Sequence, residues 1–85
     1  MIKLEYKVTD PKGMHARPAG ILAACAKKYQ SSTTFTAGTE SVDMKKILPL
    51  MGVPVSKDQI ITVEIEGDDE EACARAVEAA LKENF

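Results

Sequence analysis

The stretch Gly13-Met14-His15-Ala16-Arg17-Pro18-Ala19 lies where a predicted strand and loop end and a predicted helix begins. Proline has a fixed φ and needs no main-chain donor, so Pro18 fits the first turn of a helix. The first N–H groups of a helix have no partner within it and lie at the positive end of its dipole. We therefore expect an anion site at Ala16 and Arg17, beside His15, the only histidine.

The residues on either side of this stretch have the periodicities of a strand and a helix. Met1 to Thr9 alternates, which predicts a strand with one buried face. From Ala16 to about Gln30, the apolar positions recur at helical spacing, which predicts a helix packed on a sheet. The inward strand residues are Ile2, Leu4, Tyr6 and Val8, and those of the helix are Ala19, Leu22, Ala23, Ala26 and Tyr29. Gly20, Ile21 and Ala24 lie on a flanking face that is small and partly apolar.

The second half of the chain predicts a hairpin, a strand and a second long helix. Ser31–Ala37 and Glu40–Met44 form the hairpin, with Gly38 and Thr39 in its turn. Apolar and polar residues alternate around Val63, which predicts the strand, and this strand ends at Gly67. For the last helix we expect a cap by Asp68 or Asp69, with Glu71 completing a capping box after Asp68. Its expected apolar stripe is Ala72, Cys73, Ala76, Val77, Ala80 and Leu81.

Between hairpin and last strand, Lys45–Gly52 predicts a short helix with Pro49 in its first turn. Its apolar residues are Ile47, Leu48, Leu50 and Met51. They cannot all enter one core, so we expect some to stay exposed as a docking surface.

The order of elements, βαββαβα, predicts an α+β fold. We expect a two-layer open-faced sandwich, with a four-stranded antiparallel sheet covered on one face by helices. Its 85 residues predict one domain, 1–85, with no room for a separate cofactor domain.

Composition limits the functions that this domain can have. A formal charge of −2 argues against bulk nucleic-acid binding. With no signal-peptide pattern and no window long enough to span a bilayer, we expect a cytoplasmic protein without membrane insertion. Cys25 and Cys73 fit reduced, semi-buried thiols, with a disulfide or redox role as the alternative. One histidine without clustered carboxylates makes a poor metal site, so we expect no metal and no cofactor.

Three segments together resemble the HPr family of histidine-containing phosphocarriers of the bacterial sugar phosphotransferase system. They are residues 13–19, Lys45-Lys46-Ile47-Leu48 to Gly52, and Glu66-Gly67-Asp68-Asp69-Glu70-Glu71-Ala72, in the family's order and spacing. The resemblance implies a carrier phosphorylated on a histidine by enzyme I with phosphoenolpyruvate, which passes the phosphoryl group to enzyme IIA. Such a carrier is a stoichiometric intermediate and not a self-sufficient catalyst. A domain that exposes one face to successive partners is also expected to be monomeric.

The resemblance assigns roles residue by residue. His15 matches the phosphorylated histidine, Arg17 matches the arginine that helps to hold the phosphoryl group, and the N–H groups of Ala16 and Arg17 are its local donors. We also expect the helix start and Arg17 to disfavour the protonated imidazole, which keeps the attacking nitrogen free. The implied partner-binding face consists of Gly20, Ile21, Ala24, Ile47, Leu48 and Met51.

The sequence departs from the family pattern at several positions. Lys46 replaces the serine that a regulatory kinase phosphorylates in many members, which removes that switch and adds positive charge to the docking face. Lys12 replaces a small polar residue and is expected to support the phosphoryl group electrostatically. Pro49 and Pro54 replace more permissive residues, which leaves the shape of the short helix open. The alternatives are therefore a regulatory paralogue that acts by binding a transcription factor or enzyme, and a nitrogen-related phosphotransferase branch.

Overall fold

A computed structural model describes residues 1–9 and 16–85, apart from the side chain of Ala16. Its strands form one antiparallel sheet in the order β1-β4-β2-β3. They are β1 Ile2–Lys7, β2 Ser32–Ala37, β3 Glu40–Asp43 and β4 Ile60–Glu66. Residues on one face of the central strands are buried, and those on the other are exposed or partly so. The sheet thus has one covered face.

Three helices complete the described part of the chain, and the predicted open-faced sandwich is confirmed. They are α1 Ala16–Lys27, α2 Ile47–Met51 and α3 Glu70–Asn84. Pro18 lies in the first turn of α1, as its fixed φ predicts. The core lies between the long helices and the covered face of the sheet, where Leu22, Phe35 and Val77 are buried. None of the helices in the described ranges is long and apolar enough to cross a membrane.

The buried face of α1 is the predicted one, but the helix ends earlier than predicted. Its inward positions, Ala19, Leu22, Ala23 and Ala26, are all buried. Regular structure stops at Lys27, because the next two N–H groups bond to carbonyls only three residues back. These are Lys28 N–H to Cys25 at 3.2 Å and Tyr29 N–H to Ala26 at 3.2 Å. The expected extension to Gln30 was therefore wrong, although Tyr29 still packs against the core.

The predicted capping box at the start of α3 was wrong. Asp69 is the residue that precedes α3, but its carboxylate makes no cap hydrogen bond. Instead it accepts the main-chain N–H groups of Gln30 and Ser31, at 2.8 and 2.9 Å, and the Ser31 hydroxyl. Glu70, rather than Glu71, reaches back to accept the Gly67 N–H at 3.2 Å. The carboxylate of Asp69 thus stabilises the loop between α1 and β2 and does not cap its own helix.

The apolar stripe of α3 is centred on every fourth residue. Cys73, Val77 and Leu81 are buried, and Ala76 and Ala80 are partly buried. Ala72 is exposed, so its predicted inclusion was wrong, whereas Ala74 is buried and was missed. Because α1 and α3 pack against each other as well as on the sheet, the buried face turns toward residue 74.

Both cysteines are free thiols, Cys25 partly buried and Cys73 fully buried. Burial raises the pKa of the Cys25 thiol, and the Lys28 ammonium group opposes this more weakly. Burial is also the main reason that the pKa of Cys73 is raised. High pKa values keep both thiols protonated near neutral pH. Cys25 is semi-buried, as predicted, whereas Cys73 is fully buried, so the predicted partial burial was wrong for Cys73.

Candidate functional site

The predicted phosphorylation site includes residues on both sides of Ala16, where the described part of the chain resumes. His15 and Lys12 lie outside these residues, so their roles stay predictions. The main chain of Ala16 is the first residue of α1, directly after His15. The free N–H groups of a helix start are therefore contributed by the residues immediately following the histidine.

Arg17 supplies the charge at this helix start. It is exposed in the first turn of α1, a turn that contains no acidic residue. Two ion pairs join described residues, Met1 with Glu70 and Glu78 with Lys82, and neither includes Arg17. The dipole and the guanidinium group therefore act with the same sign, which favours an anion at this end of α1.

A second set of predicted residues forms a continuous surface beside the start of α1. We call it the docking face, and it consists of Gly20, Ile21, Ala24, Lys46, Ile47, Leu48 and Met51. Helices α1 and α2 pack together along it. A Cβ atom placed on Gly20 would lie 3.6 Å from Cδ1 of Ile47, so at this glycine α2 lies directly against α1. The structure thus brings the two halves of the predicted face together.

The docking face is apolar and exposed. Leu48 is 77% exposed, and Ile21, Ile47 and Met51 are 37 to 38% exposed. Among the described residues, the other large exposed apolar side chains are Met1, which precedes β1, and Ile60, which lies on the helix-free face of β4. Four such side chains gathered on two adjacent helices are typical of a protein-binding surface rather than of a core.

Helix α2 is attached to the core by one residue, Leu50, which is completely buried. The main chain closes the helix with bonds from Leu50 N–H to Lys46 O at 3.1 Å and from Gly52 N–H to Leu48 O at 3.3 Å. Pro49 lies in the first turn, where its missing N–H costs no helical bond. The two prolines therefore leave a five-residue helix intact, with Pro54 exposed beyond its end.

Lys46 places a positive charge at the start of α2. Its main chain is extended, with φ of −105° and ψ of 106°, and its side chain makes no capping bond. The residue is exposed, and neither ion pair between described residues involves it. The docking face therefore has an apolar centre with the positive charge of Lys46 at its edge.

One contact between distant parts of the chain was missed by the sequence analysis. The N–H and hydroxyl groups of Thr9 both donate to the main-chain oxygen of Phe85. The two residues are 76 positions apart, and a threonine at the end of a strand does not indicate such a distant partner. The buried Phe85 continues the apolar spacing of α3 beyond Leu81, which was the only available signal.

Comparison with known proteins places this arrangement in a family. The family model described as the PTS HPr component phosphorylation site matches residues 2–83. The phosphocarrier protein HPr of Mycoplasma genitalium is 38% identical over 86 aligned residues, covering 99% of this chain and 97% of that protein. The Mycoplasma pneumoniae phosphocarrier protein HPr is 37% identical, with the same coverage.

Solved structures agree with the sequence match. A mycoplasma histidine-containing phosphocarrier protein has a TM-score of 0.93 at 29% identity, covering 96% of this chain and 93% of that one. HPr from Thermoanaerobacter tengcongensis has a TM-score of 0.90 at 28% identity, covering 100% of this chain and 96% of that one. With sequence and fold both matched over nearly the whole length, the chain belongs to the HPr family of phosphotransferase-system phosphocarriers.

Proposed function

We propose that the chain carries phosphoryl groups in the phosphotransferase system, accepting them on His15 from enzyme I and passing them to enzyme IIA. The observation that carries this proposal is the start of α1. It follows His15 directly, with exposed Arg17 and no acidic residue in its first turn. A phosphoryl group on the imidazole would meet the main-chain N–H groups of Ala16 and Arg17, the guanidinium group and, in our proposal, the Lys12 ammonium group.

The transfer step is an in-line displacement at phosphorus. A lone pair on an imidazole nitrogen of His15 forms the new N–P bond while the bond from phosphorus to the donor breaks, and the donor keeps that electron pair. The negative oxygens stay in contact with the start of α1 throughout. Because Arg17 is exposed, its guanidinium group can hold the phosphoryl product without enclosing it, which suits a group that must leave again.

The docking face supports transient contact with both partners. Its exposed apolar residues lie beside the start of α1, so a partner seated on Leu48 and Ile47 would bring its own reactive group next to His15. The exposed Lys46 favours partners with acidic residues opposite it. We also propose that residues 1–85 act as one monomeric domain in the cytoplasm, with no cofactor or metal.

Phosphorylation tests the chemical part of the proposal. Incubation with enzyme I and phosphoenolpyruvate should add one acid-labile phosphoryl group, detected by mass spectrometry, and adding enzyme IIA should remove it. His15→Ala should take up none, and Arg17→Ala should accept the group roughly tenfold more slowly because one charged contact is lost. Arg75→Ala, at the exposed arginine of α3, is the matched control and should behave as wild type. A wild-type chain that gains no mass would overturn the proposal.

Substitution on the docking face tests the binding part. Leu48→Asp puts a charge into the centre of the apolar surface and should weaken enzyme I binding by tenfold or more, about 1.4 kcal/mol or above. Ile60→Asp is the matched control, since Ile60 is 60% exposed but lies on the helix-free face of the sheet. Titration calorimetry compares the two. Equal losses from both variants would contradict the assignment of the face.

The regulatory alternative gives a different result in the same proteins. The regulatory alternative is favoured by Lys46, because this position holds a phosphorylatable serine in many members of the family. A regulatory module would keep its partner in a His15→Ala variant and lose it in Ile47→Asp, measured by pull-down. A carrier instead loses transfer in both variants.

A further inference from the structure

We infer that Met51 is an oxidation site, at which a peroxide reversibly weakens the binding of partner proteins to the docking face. This role rests on the proposed function, because it takes the docking face as the surface that meets enzyme I. It adds a modification of the Met51 sulfur that phosphoryl transfer itself does not require.

The methionines of the described residues differ in exposure and position. Methionine sulfur reacts only where a dissolved oxidant reaches the side chain. Met44 is completely buried, whereas Met1 is 67% exposed but precedes β1 and lies outside the docking face. Met51 is 38% exposed and belongs to that face. Within the described ranges, Met51 is therefore the methionine that an oxidant reaches on the docking face.

Met51 lies among the apolar residues that a partner would cover. Residues four apart on a helix are neighbours on its surface, so Met51 lies next to Ile47 on α2. Leu48, the most exposed residue of the face, belongs to the same short helix. A partner that covers Ile47 and Leu48 therefore also covers the Met51 side chain.

The modification is an oxygen transfer to sulfur. A lone pair of the Met51 thioether forms an S–O bond with one oxygen of hydrogen peroxide as the O–O bond breaks. The second oxygen leaves as water with both hydrogens of the peroxide, so the sulfur is oxidised and the peroxide is reduced. Methionine sulfoxide reductase reverses the change, because two thiols reduce the sulfoxide and yield the thioether, a disulfide and water.

A sulfoxide makes the centre of the docking face polar. Methionine packs well on irregular apolar surfaces because its side chain is flexible and its thioether is polarizable. The sulfoxide oxygen is instead hydrated, and removing that water beneath a partner costs free energy unless a donor replaces it. We therefore expect oxidation of Met51 to weaken enzyme I binding about five- to tenfold.

Peroxide treatment of the wild-type chain and of Met51→Leu tests the inference. Leucine is apolar and similar in volume but has no sulfur, so both proteins should bind enzyme I alike before treatment. Tryptic cleavage after treatment places Met51 in the peptide 47–57 and Met44 in the peptide 29–45. Mass spectrometry should find one added oxygen atom in the first peptide and none in the second.

Titration calorimetry with enzyme I then measures the effect on binding. The Kd of the treated wild-type chain should rise about five- to tenfold, and methionine sulfoxide reductase with a thiol should restore it. Treated Met51→Leu should keep its affinity. This variant retains Met1, Met14 and both cysteines, so a loss of affinity caused by oxidation elsewhere would appear in it as well.

The outcomes separate the oxidation site from the proposed function. If Met51 takes up no oxygen while a free methionine peptide does, or if the oxidised chain binds enzyme I as well as the untreated one, the oxidation site is wrong and the carrier function stands. Equal losses from treated wild type and treated Met51→Leu would also overturn it. If the untreated wild-type chain neither binds enzyme I nor accepts a phosphoryl group, the proposed function fails and the role of Met51 fails with it.

Discussion

Thr33 is a polar residue at an apolar position. It lies in β2 on the covered face of the sheet, is 2% exposed, and its hydroxyl oxygen has no hydrogen-bond partner within the described ranges. Burying a hydroxyl without a partner costs about 1–3 kcal/mol. The alternation of residue types around Phe35 predicts which face of β2 is buried. A threonine is common on either face of a strand, so the sequence does not predict the cost of burying the Thr33 hydroxyl.

Replacing Thr33 by valine should stabilise the protein. The two side chains have nearly the same shape, so Thr33→Val removes the unpaired hydroxyl without leaving a cavity, and we expect the free energy of unfolding to rise by about 1 kcal/mol. Urea denaturation measures it. Thr36→Val is the control, since the Thr36 hydroxyl lies 2.9 Å from that of Ser41. A Thr33→Val protein that unfolds at lower urea than wild type would show that the hydroxyl has a partner after all.

At the scale of elements, α2 shows what periodicity can and cannot predict. Four apolar residues in so short a helix predict exposure, and the residue that enters the core is Leu50. Which of the four enters the core depends on how α2 is rotated about its own axis against the rest of the fold. Helix α2 lies against α1 at Gly20, where an added Cβ atom would be 3.6 Å from Cδ1 of Ile47, and no local sequence pattern contains this contact between elements.

The turn between β4 and α3 depends on a glycine for two reasons. Gly67 has a φ of +155°, a conformation that side chains with a Cβ atom rarely adopt. A Cβ atom there would also lie 2.6 Å from the Ser31 hydroxyl oxygen and 2.7 Å from its Cα. The sequence predicts the strand end at Gly67, but not the approach of Ser31.

Gly67→Ala should therefore destabilise the protein by about 2 kcal/mol or more, from main-chain strain and overlap with Ser31. Gly52→Ala is the matched control, because its φ of −80° suits alanine and the new Cβ atom would be 3.5 Å from the nearest oxygen. We expect that variant to unfold within about 1 kcal/mol of wild type. Thermal denaturation compares them, and equal stability of the two variants would contradict the close approach at Ser31.

At the scale of the whole molecule, the Asp69 carboxylate connects the start of α3 to the loop between α1 and β2. The Ser31 hydroxyl, followed by the Gln30 N–H, lowers the pKa of Asp69 below its usual value. The bond from the N-terminal ammonium group, followed by the Gly67 N–H, does the same for the pKa of Glu70. Both carboxylates thus stabilise the folded chain in their charged forms, and protonation weakens these connections.

Acid should therefore destabilise the fold through these groups. A pKa that is lower in the folded state than in the unfolded state gives stability that is complete above the unfolded value, about 3.9 for aspartate. This stability is lost as the pH falls through the folded value. Asp69→Asn should lower the melting temperature at pH 7 and flatten its decline below about pH 4. Asp68→Asn, at the exposed neighbouring residue, should keep the wild-type decline, and an Asp69→Asn curve parallel to wild type would contradict this account.

The sequence predicts the fold class because it follows from local periodicity and element order, and the crowding of apolar residues in α2 predicts that some of them stay exposed. The full docking face is what the resemblance to the family implies. The contacts that join distant parts of the chain are different. Asp69 and Ser31 are 38 positions apart, and Thr9 and Phe85 are 76 positions apart. A single polar residue carries no sequence signal of so distant a partner. The capping box was predicted wrongly for this reason, since local and distant partners compete for one carboxylate.

The protected state of the two native thiols has a practical consequence. Because Cys25 is partly buried, Cys73 is fully buried and both have raised pKa values, both present little thiolate to an alkylating reagent. A cysteine introduced at exposed Ser41, on the helix-free side of the sheet, would react with maleimide dyes first. The chain can therefore carry a single fluorophore on the helix-free side of the sheet, away from the proposed docking face, so that phosphotransfer is followed in real time without removing either native cysteine.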